Sequence, residues 1–226
     1  MTSKPSKVIS HLLPLIAFLF IANVGKGAEV EAWTKETFTK AGQGDAREQY
    51  NLGLMYDTGR GVPKDYKEAV TWWRKAAEQG DAREQNNLGL MYDNGRGVPQ
   101  DYKEAVKWYR KAAEQGDSGA QFSLGLRYDN GTGVAQDYKE AVKWYRKAAE
   151  QGNSLAQISL GLRYYNGQGV PKDDVKAYAW FNVGSANGSD QGSKNRDSIA
   201  KDMTPEQIAK AQELSAKWFE LYQPKE

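Results

Sequence analysis

One histidine, His11, and no cysteine are all that this 226-residue chain offers to nucleophilic catalysis and to soft-metal binding. A Ser/His/Asp triad, a Cys/His pair, a Cys/His zinc site and a disulfide framework each need those residue types. All four are excluded once His11 is gone, and the sequence around it reads as a segment that is removed. Lys4 and Lys7 precede an apolar run from Leu12 to Ala22, and Gly25, Gly27 and Ala28 follow it, the layout of a secretory leader. Those eleven apolar residues rise only about 16 Å as a helix. A bilayer core asks for about 20 residues, so no stable membrane span is expected once the leader is cut after Gly27 or Ala28. The chain is expected to be exported, to the periplasm or beyond the cell.

Three lysines and no acid leave with residues 1–28, so the whole-chain charge of +2 becomes 28 basic against 29 acidic residues. Such a balance does not favour binding by counterion release, and no nucleic-acid partner is expected. About 200 remaining residues can bury a core without covalent staples. Four glycine pairs, Gly59/Gly61, Gly95/Gly97, Gly131/Gly133 and Gly167/Gly169, have the look of phosphate-binding loops. No strand signal precedes them and no Lys-Ser/Thr follows, so they read as turns, and no cofactor or metal is expected.

The elements that would position any site come from a repeat. DYKEAVKWYRKAAEQG stands at 101–116 and again at 137–152. Extending the match gives four units of 36 residues, 45–80, 81–116, 117–152 and 153–188, of which the first two agree at 31 positions and the last two at 17. A period of that length marks a solenoid, in which each unit buries its apolar face on its neighbours. Within a unit, an Asp with Glu three residues on (Asp45/Glu48, Asp81/Glu84) has capping-box spacing and opens a first helix. Asp101 with Glu104 opens a second, whose stripe of Tyr102, Ala105, Val106, Tyr109, Ala112 and Ala113 ends at Gly116. Gly53, Gly89, Gly125 and Gly161 fall in mid-helix, where each costs about 1 kcal/mol against alanine. Close approach of an aromatic from the second helix, Trp72/Trp108/Trp144/Trp180 or the adjacent Trp73/Tyr109/Tyr145/Phe181, is expected to offset that.

The run LGLMYDNGRGVPQDYKEAVKWYRKAAEQGD resembles the Sel1-like repeat, the longer relative of the tetratricopeptide repeat. The resemblance covers 45–188 and implies an all-α fold, a right-handed solenoid of helix-turn-helix units that binds other proteins. Residues 29–44 are expected to supply half a repeat. In 189–226, the stretch 187–198 reads as a loop or a short helix. Thr204-Pro205-Glu206-Gln207 then opens a capping helix with Ile208, Ala211, Leu214, Trp218 and Leu221 on its apolar side. The charged face of the second helices, with pairs such as Arg110/Glu114, reads as a solvated surface.

Candidate site residues come from places where near-identical units disagree. The stripe of the first helix opposite Leu88 and Tyr92 reads Asn51/Met55, Asn87/Met91, Ser123/Arg127 and Ser159/Arg163. First helices line the concave face in tetratricopeptide-type superhelices, so by resemblance this stripe forms a groove, softer at its start and cationic at its end. A peptide or protein segment is the expected ligand, with Arg127 and Arg163 on its acidic portion and replaceable at little cost to folding. The expected function is a monomeric, non-catalytic adaptor. A β-lactam-binding or hydrolysing enzyme, as in the cysteine-rich Sel1 branch, lacks its helix-linking disulfides here, and a structural role in envelope assembly stands beside the adaptor.

Overall fold

The computed structural model describes residues 28–222. The leader expected over 1–28 lies outside the described residues, Ala28 apart. Eleven α-helices follow one another: α1 Ala28–Gly42, α2 Ala46–Thr58, α3 Tyr66–Glu78, α4 Ala82–Asn94, α5 Tyr102–Glu114, α6 Ser118–Asn130, α7 Tyr138–Ala149, α8 Ser154–Asn166, α9 Asp174–Ala186, α10 Asp190–Ile199 and α11 Pro205–Leu221. A 3-10 turn, Ala200–Asp202, joins the last two, and no strand occurs among the described residues. Helices pair within units (α2 with α3, α4 with α5, α6 with α7, α8 with α9), and each second helix packs on the first helix of the next unit. The molecule is an α-solenoid of helix-turn-helix repeats.

Polar residues set the ends of these helices. Asp65, Asp101 and Asp137 each accept two backbone N–H groups at the start of a second helix, which satisfies donors that have no partner inside the helix. The expected reciprocal bond from Glu104 is replaced by an ion pair, since Glu104 Oε2 accepts from Lys107 at 2.7 Å. At Thr204 the box closes from both sides, with Gln207 N donating to Thr204 Oγ1 and Thr204 N to Gln207 Oε1.

The mid-helix glycines sit where an aromatic ring leaves no room for a methyl group. A Cβ at Gly89 would stand 2.7 Å from the Tyr109 ring, at Gly125 2.7 Å from Tyr145, and at Gly161 2.6 Å from Phe181. The ring at this joint is therefore the second of each aromatic pair. Tyr109, Tyr145 and Phe181 are almost fully buried, and each contributes about 2–3 kcal/mol, which outweighs the roughly 1 kcal/mol of a helical glycine.

A second, polar seam runs beside the aromatic one. Gln49, Gln85, Gln121 and Gln157 are buried, and each donates from Nε2 to a carbonyl near the end of the preceding second helix: Ala41, Ala77, Ala113 and Ala149, at 3.0–3.2 Å. Each also accepts at Oε1 from the end of its own unit, from Gln79, Gln115 and Gln151 at 2.8 Å and from Asn187 at 3.0 Å. Helix-terminal carbonyls need such partners, so one amide ties two units and leaves nothing unsatisfied. That double duty explains the conserved Gln inside each repeat and the terminal Gln or Asn that closes it.

Past the fourth unit the stretch open to either reading is a helix. A Cβ at Gly192 would lie 2.6 Å from Ser185 N and 2.7 Å from Phe181 O, so α10 approaches α9 closely because glycine stands there. Arg196 Nη1 fastens it to Asn182 Oδ1 at 2.9 Å. Helix α11 then covers α9 and stacks Trp218 on Trp180 with ring centroids 4.4 Å apart. Ala211 is buried as expected of its apolar side, but Leu221 is 60% exposed, because that side runs out one turn earlier.

One buried group works against the stack. Asp81 caps α4 through Arg83 N, and Glu84, 2% exposed, turns to the Asp81 carboxyl rather than to its backbone N–H, with Oε2 left without a partner. Burial, then the neighbouring Asp81, raises its pKa from 4.5 to about 7. A folded pKa above the unfolded one means that the unfolded chain releases this proton first, so stability falls as pH rises from about 4.5 to about 7. Glu84→Ala, which copies Ala120 and Ala156, is expected to stabilise by about 1 kcal/mol at pH 8, because the gain at Glu84 is partly offset by loss of the bond that lowers the pKa of Asp81 to about 2, and to give no gain at pH 4. Urea unfolding of both proteins at the two pH values checks this, and a gain independent of pH would contradict it.

Candidate functional site

The eight residues expected to line a groove divide in the structure. Asn51, Asn87, Ser123 and Ser159 are half-buried, and the two serines hydrogen-bond the buried Tyr109 and Tyr145. Met55 and Met91 are not on the surface: they are 2% and 7% exposed and belong to the core clusters. Arg127 and Arg163 are not free cations either. Arg127 Nη1 pairs with Asp93 at 3.3 Å and Arg163 Nη1 with Asp129 at 2.8 Å, and all four side chains are 11–15% exposed. Each guanidinium also lies over a tyrosine of the preceding unit, Tyr102 at 5.8 Å and Tyr138 at 5.6 Å.

These arginines are joints between units, and the second repeat shows why their position varies. There the helix position carries Met91, and the cation arrives from the turn instead: Arg96 pairs with Asp57 at 2.8 Å and lies 4.0 Å over Tyr66. In the third and fourth units the turn position holds Thr132 and Gln168, and the arginine has moved onto the helix. One guanidinium per joint is kept, from either of two places. The fourth unit has no following repeat to supply an arginine, and its aspartate is replaced by Tyr165, with Lys172 5.4 Å from the ring. Burial raises the pKa of Asp93 and of Asp129, opposed by Arg127 and Arg163. The expectation that Arg127 and Arg163 can be changed without cost to folding is therefore corrected.

A further joint crosses in the other direction. Arg110 and Arg146 donate from Nη2 to the Tyr128 and Tyr164 hydroxyls of the next unit at 2.7 Å, as Arg74 does to Tyr92. The expected partner of Arg110, Glu114, is displaced by this contact. The second glycine of each loop is a joint as well, since a Cβ at Gly97, Gly133 or Gly169 would stand 2.2–2.3 Å from the carbonyl oxygen of Tyr66, Tyr102 or Tyr138.

What remains free on the first helices is a strip one residue type wide. Leu54, Leu90, Leu126 and Leu162 recur every 36 residues with none of the full burial of Leu52, Leu88, Leu124 and Leu160. Leu54 is 41% exposed and the other three are half-buried. On one side of this column run Asn51, Asn87, Ser123 and Ser159, and on the other Thr58, Asn94, Asn130 and Asn166. Part of this polar lining is already engaged: Asn51 Nδ2 donates to Glu48 at 3.2 Å, Thr58 Oγ1 to Leu54 O at 2.7 Å and Asn94 Nδ2 to Leu90 O at 3.0 Å, and Ser123 and Ser159 meet the buried Tyr109 and Tyr145. Asn87, Asn130 and Asn166 are the amides left to meet a peptide backbone beside the leucines. The signal was present in the sequence: in Leu-Gly-Leu the two leucines are 200° apart on a helix, so only one can face the core.

Candidates for chemistry do not assemble. A Ser-x-x-Lys spacing not expected from the repeats does occur, at Ser198 and Lys201, but both residues are exposed at the join of α10 and the 3-10 turn. An open depression of roughly 230 Å³ between α9 and α11 is lined by Asn182, Val183, Gln212, Ser215 and Phe219, and its Asn182 amide is already used on Ser215 Oγ at 3.0 Å. Trp108 and Trp180 are 6% and 2% exposed, so neither is a ligand platform.

Comparison with known proteins agrees with this architecture. A family model described as the Sel1 repeat matches residues 49–81, 85–117, 118–153 and 154–189. A protective antigen present in uropathogenic Escherichia coli strains, displaying an SLR fold, is similar at 39% identity with a TM-score of 0.80 over 97% of this chain. The chain spans 46% of that protein's length. A Sel1 repeat protein from Oxalobacter formigenes is similar at 38% identity and a TM-score of 0.67, over 77% of this chain and 73% of the other. No curated protein sequence matches the chain. With four matched units covering more than half of its residues and the stack they describe present in three dimensions, the chain belongs to the Sel1 repeat family.

Proposed function

We propose that the protein is a non-catalytic, monomeric scaffold that holds an extended segment of a partner protein along the exposed strip of its first helices. The observation that supports it is the leucine column Leu54, Leu90, Leu126 and Leu162, repeated in every unit and never fully buried, although Leu90 and Leu162 also pack against the core clusters. A surface kept apolar four times over, between two rows of amides and hydroxyls, suits a chain that runs along the solenoid. Sel1 repeats commonly serve as protein-interaction scaffolds, which supports this reading. The reading includes export, which rests on the leader-like composition of residues 1–28.

A photo-crosslinking residue placed at Leu54, at Leu126 and, on a second helix, at Lys107 tests it in cells. Both strip positions are expected to yield adducts of the same partner and Lys107 none. Adducts at Lys107 with a bare strip would end the proposal. The N-terminus of the recovered adduct, read by mass spectrometry, reports on export: a chain beginning at Ala28 or Glu29 agrees with it, and an intact Met1 does not.

A further inference from the structure

With the joints removed from the list of differences between units, one exposed column still differs in chemistry from end to end. Two turns before the leucine column on each first helix stand Arg47, Arg83, Gly119 and Leu155. The three columns described above are nearly constant, whereas this one runs from cation through no side chain to apolar. At half-buried Gly119 a Cβ would stand 3.2 Å from Asn86 Nδ2 of the preceding unit, so packing favours the missing side chain there, but it does not set the other three. Arg47 is exposed and makes no ion pair, hydrogen bond or ring contact among the described residues. Arg83 is 73% exposed and is held only by its own cap residue, Asp81, at 3.3 Å. Leu155 is 57% exposed, and Leu162 lies two turns along the same face.

We propose that the strip is polar along its length, and that the segment it takes is acidic over the first two units and apolar over the fourth. This rests on the scaffold reading and adds the chemistry of the partner to it. The reason is charge complementarity. On the four columns the charged residues are Arg47 and Arg83 and no acid, so an acidic block laid there meets two guanidinia whose geometry suits carboxylates. At the far end Leu155 and Leu162 leave apolar surface that an uncharged bulky side chain covers. The polarity is the reverse of the one that Met55, Met91, Arg127 and Arg163 suggested, because those four are committed to the joints.

A phage-displayed library of random 12-residue peptides, selected on the immobilised protein, reads this directly. Wild type is expected to enrich peptides with Asp or Glu gathered at one end and Leu, Ile or Phe at the other. R47E/R83E is expected to exchange the acidic block for Lys and Arg, and Leu155→Asp to lose the apolar block. A synthetic copy of the wild-type consensus should bind R47E/R83E about tenfold more weakly by fluorescence anisotropy, the sum expected of two exposed charge contacts. Both variants should melt within about 2 °C of wild type, since the replaced side chains are exposed. A consensus without an acidic block, or one that R47E/R83E leaves unchanged, overturns the polarity. If such a consensus still loses binding in Leu126→Asp, the scaffold reading survives without it. Binding indifferent to Leu126→Asp, or no enrichment at all, counts against both.

Discussion

Arg127→Met lowers the melting temperature by about 5–10 °C, and adding Thr132→Arg returns most of that loss. The single change leaves the Asp93 carboxylate 13% exposed without its cation. Removing one partner of a buried pair costs about 3–5 kcal/mol, and here the pair keeps some contact with water, so about 2–3 kcal/mol is expected. The second change rebuilds the arrangement of the preceding joint, where Met91 sits on the helix and Arg96 reaches Asp57 from the turn. Each substitution alone is therefore unlike the double: Thr132→Arg by itself adds a second cation where one is already seated and is not expected to stabilise. The penalty of Arg127→Met also depends on pH. Burial already raises the pKa of Asp93, and loss of Arg127 raises it further, so the penalty is full above that pKa and shrinks on acidification as the carboxyl takes up its proton. Calorimetry of the four proteins at pH 7 and pH 4 measures all of this. Additive effects of the two substitutions, or a penalty equal at both pH values, would show that the pair is not what the joint requires.

That exchange marks where sequence reading stops. The repeat, its two helices, the Asp N-caps and the aromatic seated on glycine were legible, because each is a local pattern of period 3.6 or a fixed spacing within one unit, whereas the reciprocal Glu bonds at those caps were not formed. The inter-unit contacts were not. Asp93 and Arg127 are 34 positions apart, and nothing in either residue says that they meet. A difference between copies looks free until the neighbouring copy is in place. Met91 and Arg127 occupy equivalent positions and seemed to mark a surface, but each is chosen by whether the turn five residues on carries an arginine. Tyr165 in place of the aspartate follows from the absence of a fifth unit. The leucine strip was legible in principle from Leu-Gly-Leu, since one leucine of each pair had to be left outside. Constancy hid it, because the search for function followed variation. Glu84 read as a cap for a similar reason: spacing gives the reach to the cap but not the burial that turns the side chain inward.

Gly133→Ala, like the equivalent change at Gly97 or Gly169, is expected to be among the most damaging methyl groups that can be added to the described residues, and Gly131→Ala, two residues away, far milder. Both glycines have positive φ, +78° and +66°, so alanine at either position meets backbone strain of about 1–2 kcal/mol. They differ in what the new Cβ touches. At Gly131 the nearest atoms are Gln136 Cβ at 3.1 Å and Gln136 N at 3.3 Å, inside the same loop, which can open by tenths of an ångström. At Gly133 the methyl would stand 2.3 Å from Tyr102 O and 2.6 Å from Tyr102 C, in the backbone of the preceding unit. Tyr102 opens α5 under the Asp101 cap, so its carbonyl cannot turn away without undoing that helix start. The units themselves must separate, and the ion pair, the tyrosine contact and the glutamine bond at that joint separate with them. A loss above about 4 kcal/mol is expected for Gly133→Ala, against about 1–2 kcal/mol for Gly131→Ala. In a solenoid each unit touches only its neighbours, so a broken joint shows as a division of the molecule rather than as a uniform loss. Calorimetry of Gly133→Ala should give two transitions, one for the units before the joint and one for the α11-capped units after it, where Gly131→Ala keeps a single one at slightly lower temperature. Equal melting of the two variants would mean that the second glycine of each loop serves the turn alone, and that the close carbonyl is not what holds one unit to the next.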